Sequence, residues 1–148
     1  MHIAFFNCFP WEEEKLTATI GKGNTLTFYH HPLDVAHIPD QTDFEMISVF
    51  VDSTVNAEVL QHFPNLKHIA TRSTGFDHID IEGAKAKGVS ISSVPSYGEN
   101  TVAEHAFGLL LAISKRIYDG FEQVRMHGNF NPSALEGFDL MGKTIGVI

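Results

Sequence analysis

Apolar residues along this chain come in short bursts, separated by polar breaks that contain glycine or proline, and the bursts alternate between two periods. Residues 3–9 are apolar and rich in strand formers. Pro10, which lacks a backbone donor, closes the run, so it predicts a buried first strand. Residues 11–20 place Trp11, Lys15-Leu16 and Ile20 at helical spacing, with Glu12, Glu13 and Glu14 at the positive end. That predicts a helix, ended by Gly21-Lys22-Gly23-Asn24. Residues 25–29 alternate as a second strand broken by His30-His31-Pro32, and residues 46–51 form a third β-prone run. The rhythm then repeats, with a helix over 56–63, a strand over 66–72, a helix over 80–87 and a strand over 89–94. Asp80 is placed as an N-cap, and Gly88 as a left-handed terminator.

Strand and helix in regular alternation imply parallel strands joined by helical crossovers. The expected fold is therefore an open α/β sheet with its functional loops at the carboxyl ends of the strands. A last large element starts near Asn100-Thr101 and is expected to run as one helix to about Tyr118 or beyond. Its first half is apolar almost all round, so it has to be covered on more than one side, and Gly108 costs stability unless close packing compensates. Residues 128–137 predict a connecting loop, and residues 144–148 a terminal strand after a Gly142-Lys143 turn.

Composition narrows the partners. With 43% hydrophobic residues in 148 the chain can bury a core. Its net charge of −8, from 10 Lys+Arg against 18 Asp+Glu, leaves no electrostatic footprint for nucleic acid or an anionic membrane, so a small or neutral partner is expected. The single cysteine, Cys8, lies in an apolar stretch and predicts a buried thiol in a reducing, cytoplasmic setting. No basic head marks a signal peptide, and the longest apolar run, residues 106–113, is too short for a membrane span. The nine histidines fall into no metal-ligand spacing, and GxSxG, P-loop and GxGxxG motifs are absent.

Two predicted strand-end loops could carry chemistry. In Arg72-Ser73-Thr74-Gly75-Phe76-Asp77-His78, a glycine among small hydroxyl residues can leave consecutive N–H groups open to a carboxylate or phosphate; alternatively, Gly75 supplies an unusual backbone angle in a plain turn. In Pro95-Ser96-Tyr97-Gly98-Glu99-Asn100, Tyr97 stands where it could bond a ligand or close a pocket. Neither loop, nor the Glu104-His105 pair, identifies a reaction alone.

Taken together, Asn65-Leu66-Lys67-His68-Ile69, the run from Arg72 to Asp80, Ala84, Gly88-Val89, Val94-Pro95-Ser96-Tyr97 and Thr101-Val102-Ala103-Glu104-His105-Ala106 resemble the D-isomer-specific 2-hydroxyacid dehydrogenases. Ala4-Phe5-Phe6 with Pro10-Trp11-Glu12 is similar to the lactate-dehydrogenase branch of that family. The resemblance implies a flavodoxin-like substrate domain over residues 1–128, incomplete without the family's C-terminal helix. Residues 129–148 would then be a linker and the first strand of a truncated NAD-binding Rossmann domain. It also implies an NAD-dependent reduction of a small 2-oxo acid such as pyruvate to the D-2-hydroxy acid, with a homodimeric full-length enzyme and a fragment inactive alone. By position, Thr74 and Gly75 would hold the substrate carboxylate, Tyr97 would line the pocket, and Val102 would lie near the nicotinamide. The family's arginine, glutamate and acid-base histidine have no counterpart in these 148 residues. A non-catalytic binding or interaction module on the same fold is the alternative.

Overall fold

A computed structural model describes residues 1–147. They divide into two compact units, Met1–Tyr97 and Gly98–Ile148. The first contains β1 (His2–Phe5), α1 (Pro10–Ile20), β2 (Thr25–Phe28), β3 (Met46–Val49), α2 (Ala57–Gln61), β4 (His68–Thr71), α3 (Ile81–Ala86) and β5 (Ser90–Ser92). All strand pairings are parallel, in the order β2-β1-β3-β4-β5, which is the flavodoxin-like order. The chain reverses its direction of winding between β1 and β3, so the carboxyl ends of those strands form the switch point of the sheet.

Successive side chains of a strand point to opposite faces, and β1 is buried on both. Ile3 and Phe5, with Cys8, join Leu16 and Ile20 of α1 on one side. Ala4 and the adjoining Phe6 join the larger cluster, built from Phe44, Ile47, Val49, Ile69 and the α2 residues Val59 and Leu60, on the other. Helices therefore cover both faces. Cys8 is buried, and burial together with the Glu12 charge pushes its thiol up to about 11, which leaves it an unreactive core group.

Strand ends differ from the sequence expectation. The first strand stops at Phe5, because Asn7 adopts a left-handed backbone (φ 52°) that turns the chain, and Pro10 opens α1 rather than closing the strand. Glu12 reaches back to accept a hydrogen bond from Phe9 N at 2.8 Å, half of a capping box. Asp80 caps α3 by accepting from Gly83 N at 2.9 Å, and Gly88 follows that helix at φ 74°, both as expected.

The second unit holds α4 (Glu99–Ser114), α5 (Ile117–His127) and a 3-10 turn, Pro132–Ala134. The single long helix expected here is two. Ser114 O accepts from Phe138 N at 2.9 Å, and Arg116 turns left-handed at φ 51°, which breaks the helix after Ser114. Only glycine fits at 137, since a Cβ there would stand 2.1 Å from Ser114 O. Apolar α4 side chains are exposed, Val102 at 70% and Ile113 at 72%, and a Cβ on Gly108 would meet open space, so the close packing expected at that glycine is not found. Residues 144–147, a β-type run expected to lack the sheet that would pair it, form no strand, because a strand exists only by pairing and no strand pairs with them; Ile148 lies outside the described residues. Among the described residues, no helix is long and apolar enough to cross a membrane, and no group of three His, Cys, Asp or Glu could hold a metal ion.

Candidate functional site

The loop that leaves β4 is held from three directions. Arg72 N donates to Val49 O at 2.9 Å, which continues the ladder one residue past the strand. The Arg72 side chain then reaches back across the switch point. Nη1 donates to Ser48 Oγ at 3.0 Å, Nη2 donates to Phe6 O and to Asn7 O at 2.9 Å each, and Nε lies 3.5 Å from Glu12 Oε1. One guanidinium thus ties the exits of β1, β3 and β4 to the start of α1, a geometry that five fixed donors allow and an ammonium does not.

Toward β5, Val94 N donates to Ser73 O at 3.0 Å and Thr74 Oγ1 donates to Val94 O at 2.9 Å. These two bonds fix the first loop to Val94, the residue that leads into the second loop singled out in the sequence. Beneath the loop, Ser73 Oγ donates to Gly75 O at 2.7 Å and lies 2.6 Å from Thr71 Oγ1, which is 3.0 Å from His78 Nε2. Thr71 and Ser73 are buried, at 2% and 3% exposure.

The upper side of the loop is left open. The backbone N–H groups of Thr74, Gly75 and Phe76 donate to no group among the described residues, and all three residues are exposed. Gly75 does not have a positive φ, so the strained-turn explanation of that glycine does not hold. A Cβ at this position would find only Asp77 Oδ2, at 3.8 Å. Three unpaired donors in sequence above a fixed loop can hold one anionic group.

Tyr97 ends the first unit three residues after Val94, 66% exposed, and its hydroxyl has no hydrogen-bond partner among the described residues. Val102 belongs to the second unit, on the first turns of α4, and offers an exposed apolar side chain. A groove of about 470 Å³ in the second unit, bordered by Ala112, Ile113 and Phe138, contains none of these residues. Its Arg116 is already paired with Asp119, at 2.9 Å.

Burial pushes the His78 imidazole below its ordinary value of 6.5, with Asp77 opposing the shift. The unfolded chain therefore takes up this proton first as pH falls. The stability linked to His78 is complete above 6.5 and is lost as pH falls through 6.5 toward the lower folded value. The drop in melting temperature between about pH 7.5 and about pH 5.5 is expected to be larger in the native chain than in His78→Gln. Equal drops would show that His78 titrates normally in the fold.

Sequence reasoning found Thr74, Gly75 and Tyr97 as strand-end loop residues. It missed the Arg72 clamp, the buried Thr71 and Ser73, and the half-buried His78. The one signal available for these was their clustering around a strand end, two of them flanking the glycine loop.

Comparison with known proteins gives the family. The profile described as "D-isomer specific 2-hydroxyacid dehydrogenase, catalytic domain" matches residues 3–140. A 2-hydroxyacid dehydrogenase homolog of Zymomonas mobilis is 34% identical over 85% of this chain and 38% of its own length. A D-lactate dehydrogenase of Escherichia coli is 36% identical over 70% of this chain and 32% of its own length. The crystal structure of a D-lactate dehydrogenase from Aquifex aeolicus, complexed with NAD and lactic acid, superposes with a TM-score of 0.81 at 33% identity, covering 93% of this chain and 41% of that one. The chain thus spans less than half the length of the relatives it matches. With the profile matched across nearly the whole sequence, and the five-stranded parallel sheet laid out as above, this chain belongs to the D-isomer specific 2-hydroxyacid dehydrogenase family.

Proposed function

We propose that these residues form the substrate-binding portion of an NAD-dependent D-2-hydroxyacid dehydrogenase that reduces a small 2-oxo acid, pyruvate foremost. The observation that carries this reading is the row of unpartnered N–H groups at Thr74, Gly75 and Phe76 on a loop held from beneath and from both sides. Donors fixed before the ligand arrives do not have to reorganise when it binds, so they hold a carboxylate in a defined orientation. Tyr97 would border the same acid with an exposed ring and an available hydroxyl. The chain carries no GxGxxG, so what it offers the dinucleotide is the apolar side chain of Val102 beside the nicotinamide, not a phosphate cradle. NAD, when bound, supplies the hydride for the carbonyl carbon. No histidine of this chain is given the proton-transfer role. His78, the one nearest the anchor, already contacts Thr71 through Nε2. The domain division at residues 128/129 and a homodimeric full-length enzyme are part of the same proposal.

The test is a titration of the ¹⁵N-labelled chain with pyruvate and, separately, with uncharged methyl pyruvate. Pyruvate is expected to shift the amides of Thr74, Gly75 and Phe76 with weak, roughly millimolar affinity, and the ester is expected to leave them unmoved. Equal responses to acid and ester, or shifts only elsewhere, would refute the anchor.

A further inference from the structure

We propose that Thr71, Ser73 and His78 are positioning residues for the carboxylate anchor, acting as a one-way chain of hydrogen bonds that sets the peptide between Gly75 and Phe76. The inference rests on the anchor reading above, and adds to it the device that shapes the loop and a further donor, the N–H of Phe76.

The direction of the chain follows from counting protons. A hydroxyl has one proton to donate. Ser73 gives its proton to Gly75 O at 2.7 Å, so in the 2.6 Å pair with Thr71 it can only accept. Thr71 therefore donates to Ser73, which leaves it only an acceptor toward His78, 3.0 Å away. His78 Nε2 must then carry the proton. The order His78 Nε2–H to Thr71 Oγ1–H to Ser73 Oγ–H to Gly75 O is the single arrangement in which every link has one donor. Two of the three side chains are buried, so solvent is kept from the central Thr71–Ser73 link, and each link polarises the next.

The consequence for the loop is geometric. No cis peptide bond is present among the described residues, and in a trans peptide the C=O and the following N–H point in opposite directions. Drawing Gly75 O inward to Ser73 turns Phe76 N–H outward. On the preceding side, Val94 N holds Ser73 O and by the same rule turns Thr74 N–H away from Val94. The two outer donors of the anchor are thus aimed by bonds to carbonyls one residue earlier.

The near-isosteric Thr71→Val breaks the chain at its centre, whereas Thr71→Ser keeps it. In Thr71→Val the amides of residues 74–76 are expected to show faster internal motion by ¹⁵N relaxation, and the dissociation constant for pyruvate to rise by about tenfold; Thr71→Ser should restore both. In the native chain, imidazole ¹⁵N shifts of His78 should report the Nε2–H tautomer. Ser73→Ala replaces Thr71→Val in both readouts if the latter does not fold. An unchanged loop in the folded variant, or an Nδ1–H tautomer in the native chain, would overturn the chain of bonds whatever the ligand does. A loosened loop in a protein whose native form ignores pyruvate would instead overturn the anchor reading, and the positioning role with it. A variant that loses melting temperature but keeps pyruvate affinity would assign these residues to stability only.

Discussion

Truncating Phe6 to alanine is expected to cost about 4 kcal/mol of folding free energy, the largest loss expected from a single side chain near the site. Phe6 is fully buried and stacks on Tyr29, with centroids 4.8 Å apart and planes at 12°, in the cluster that holds Leu33, Phe44 and Val49. Its removal opens a ring-sized cavity at the exit of β1, where the backbone is already committed. Phe6 N donates to Ser48 O at 2.8 Å, and Phe6 O accepts from Arg72 at 2.9 Å. Those bonds keep the strand end from collapsing into the hole, so relief by relaxation should be small. Urea unfolding should show the midpoint falling with little change in slope. Phe6→Leu, which restores most of the volume, should recover more than half of the loss. A cost below about 1 kcal/mol for the alanine variant would mean that the strand exit is plastic.

Replacing Arg72 by methionine is expected to cost about 3 kcal/mol and to abolish the loop's response to pyruvate. The stem volume is kept, so the loss is that of the charged donors to Ser48, Phe6 and Asn7 and of the Glu12 ion pair. Removing them leaves two carbonyls without that donor, and a carboxylate whose cationic partner is gone. Arg72→Lys retains the charge but lacks the planar fork, so it should recover less than half of the stability. Full stability in Arg72→Lys would show that charge alone holds the switch point. Loss of the pyruvate shifts with native stability would place Arg72 at the ligand instead.

The alternation of elements was readable from local pattern because burial and backbone propensity act over neighbouring residues. Val59, Leu60 and Phe63 announce their helix by spacing, and Ile47 and Ile69 announce buried strands by β-branching. Element ends were less readable. Phe6 and Phe9 continue the apolar run that predicts strand, yet Asn7 turns the chain out of the sheet. The apolar run through Ile113 gives no hint that Phe138, far along the chain, will take the carbonyl of Ser114 and end the helix there.

The same division holds at the site. Small hydroxyl residues around Gly75 mark a loop able to expose N–H groups, and the sequence alone offered this reading along with the resemblance to the family. Whether those N–H groups are open depends on where the adjoining carbonyls go. Ser73 O goes to Val94, 21 residues on, and Gly75 O goes to a buried hydroxyl that Thr71 and His78 hold in turn. Arg72 likewise bonds residues 24, 65 and 66 positions away. Hydrophobic period and turn chemistry are properties of neighbours, so the amino-acid sequence determined the elements and their alternation. Hydrogen-bond direction is settled between groups that meet only when the sheet assembles, so the tertiary structure alone decided which backbone donors were left free to bind.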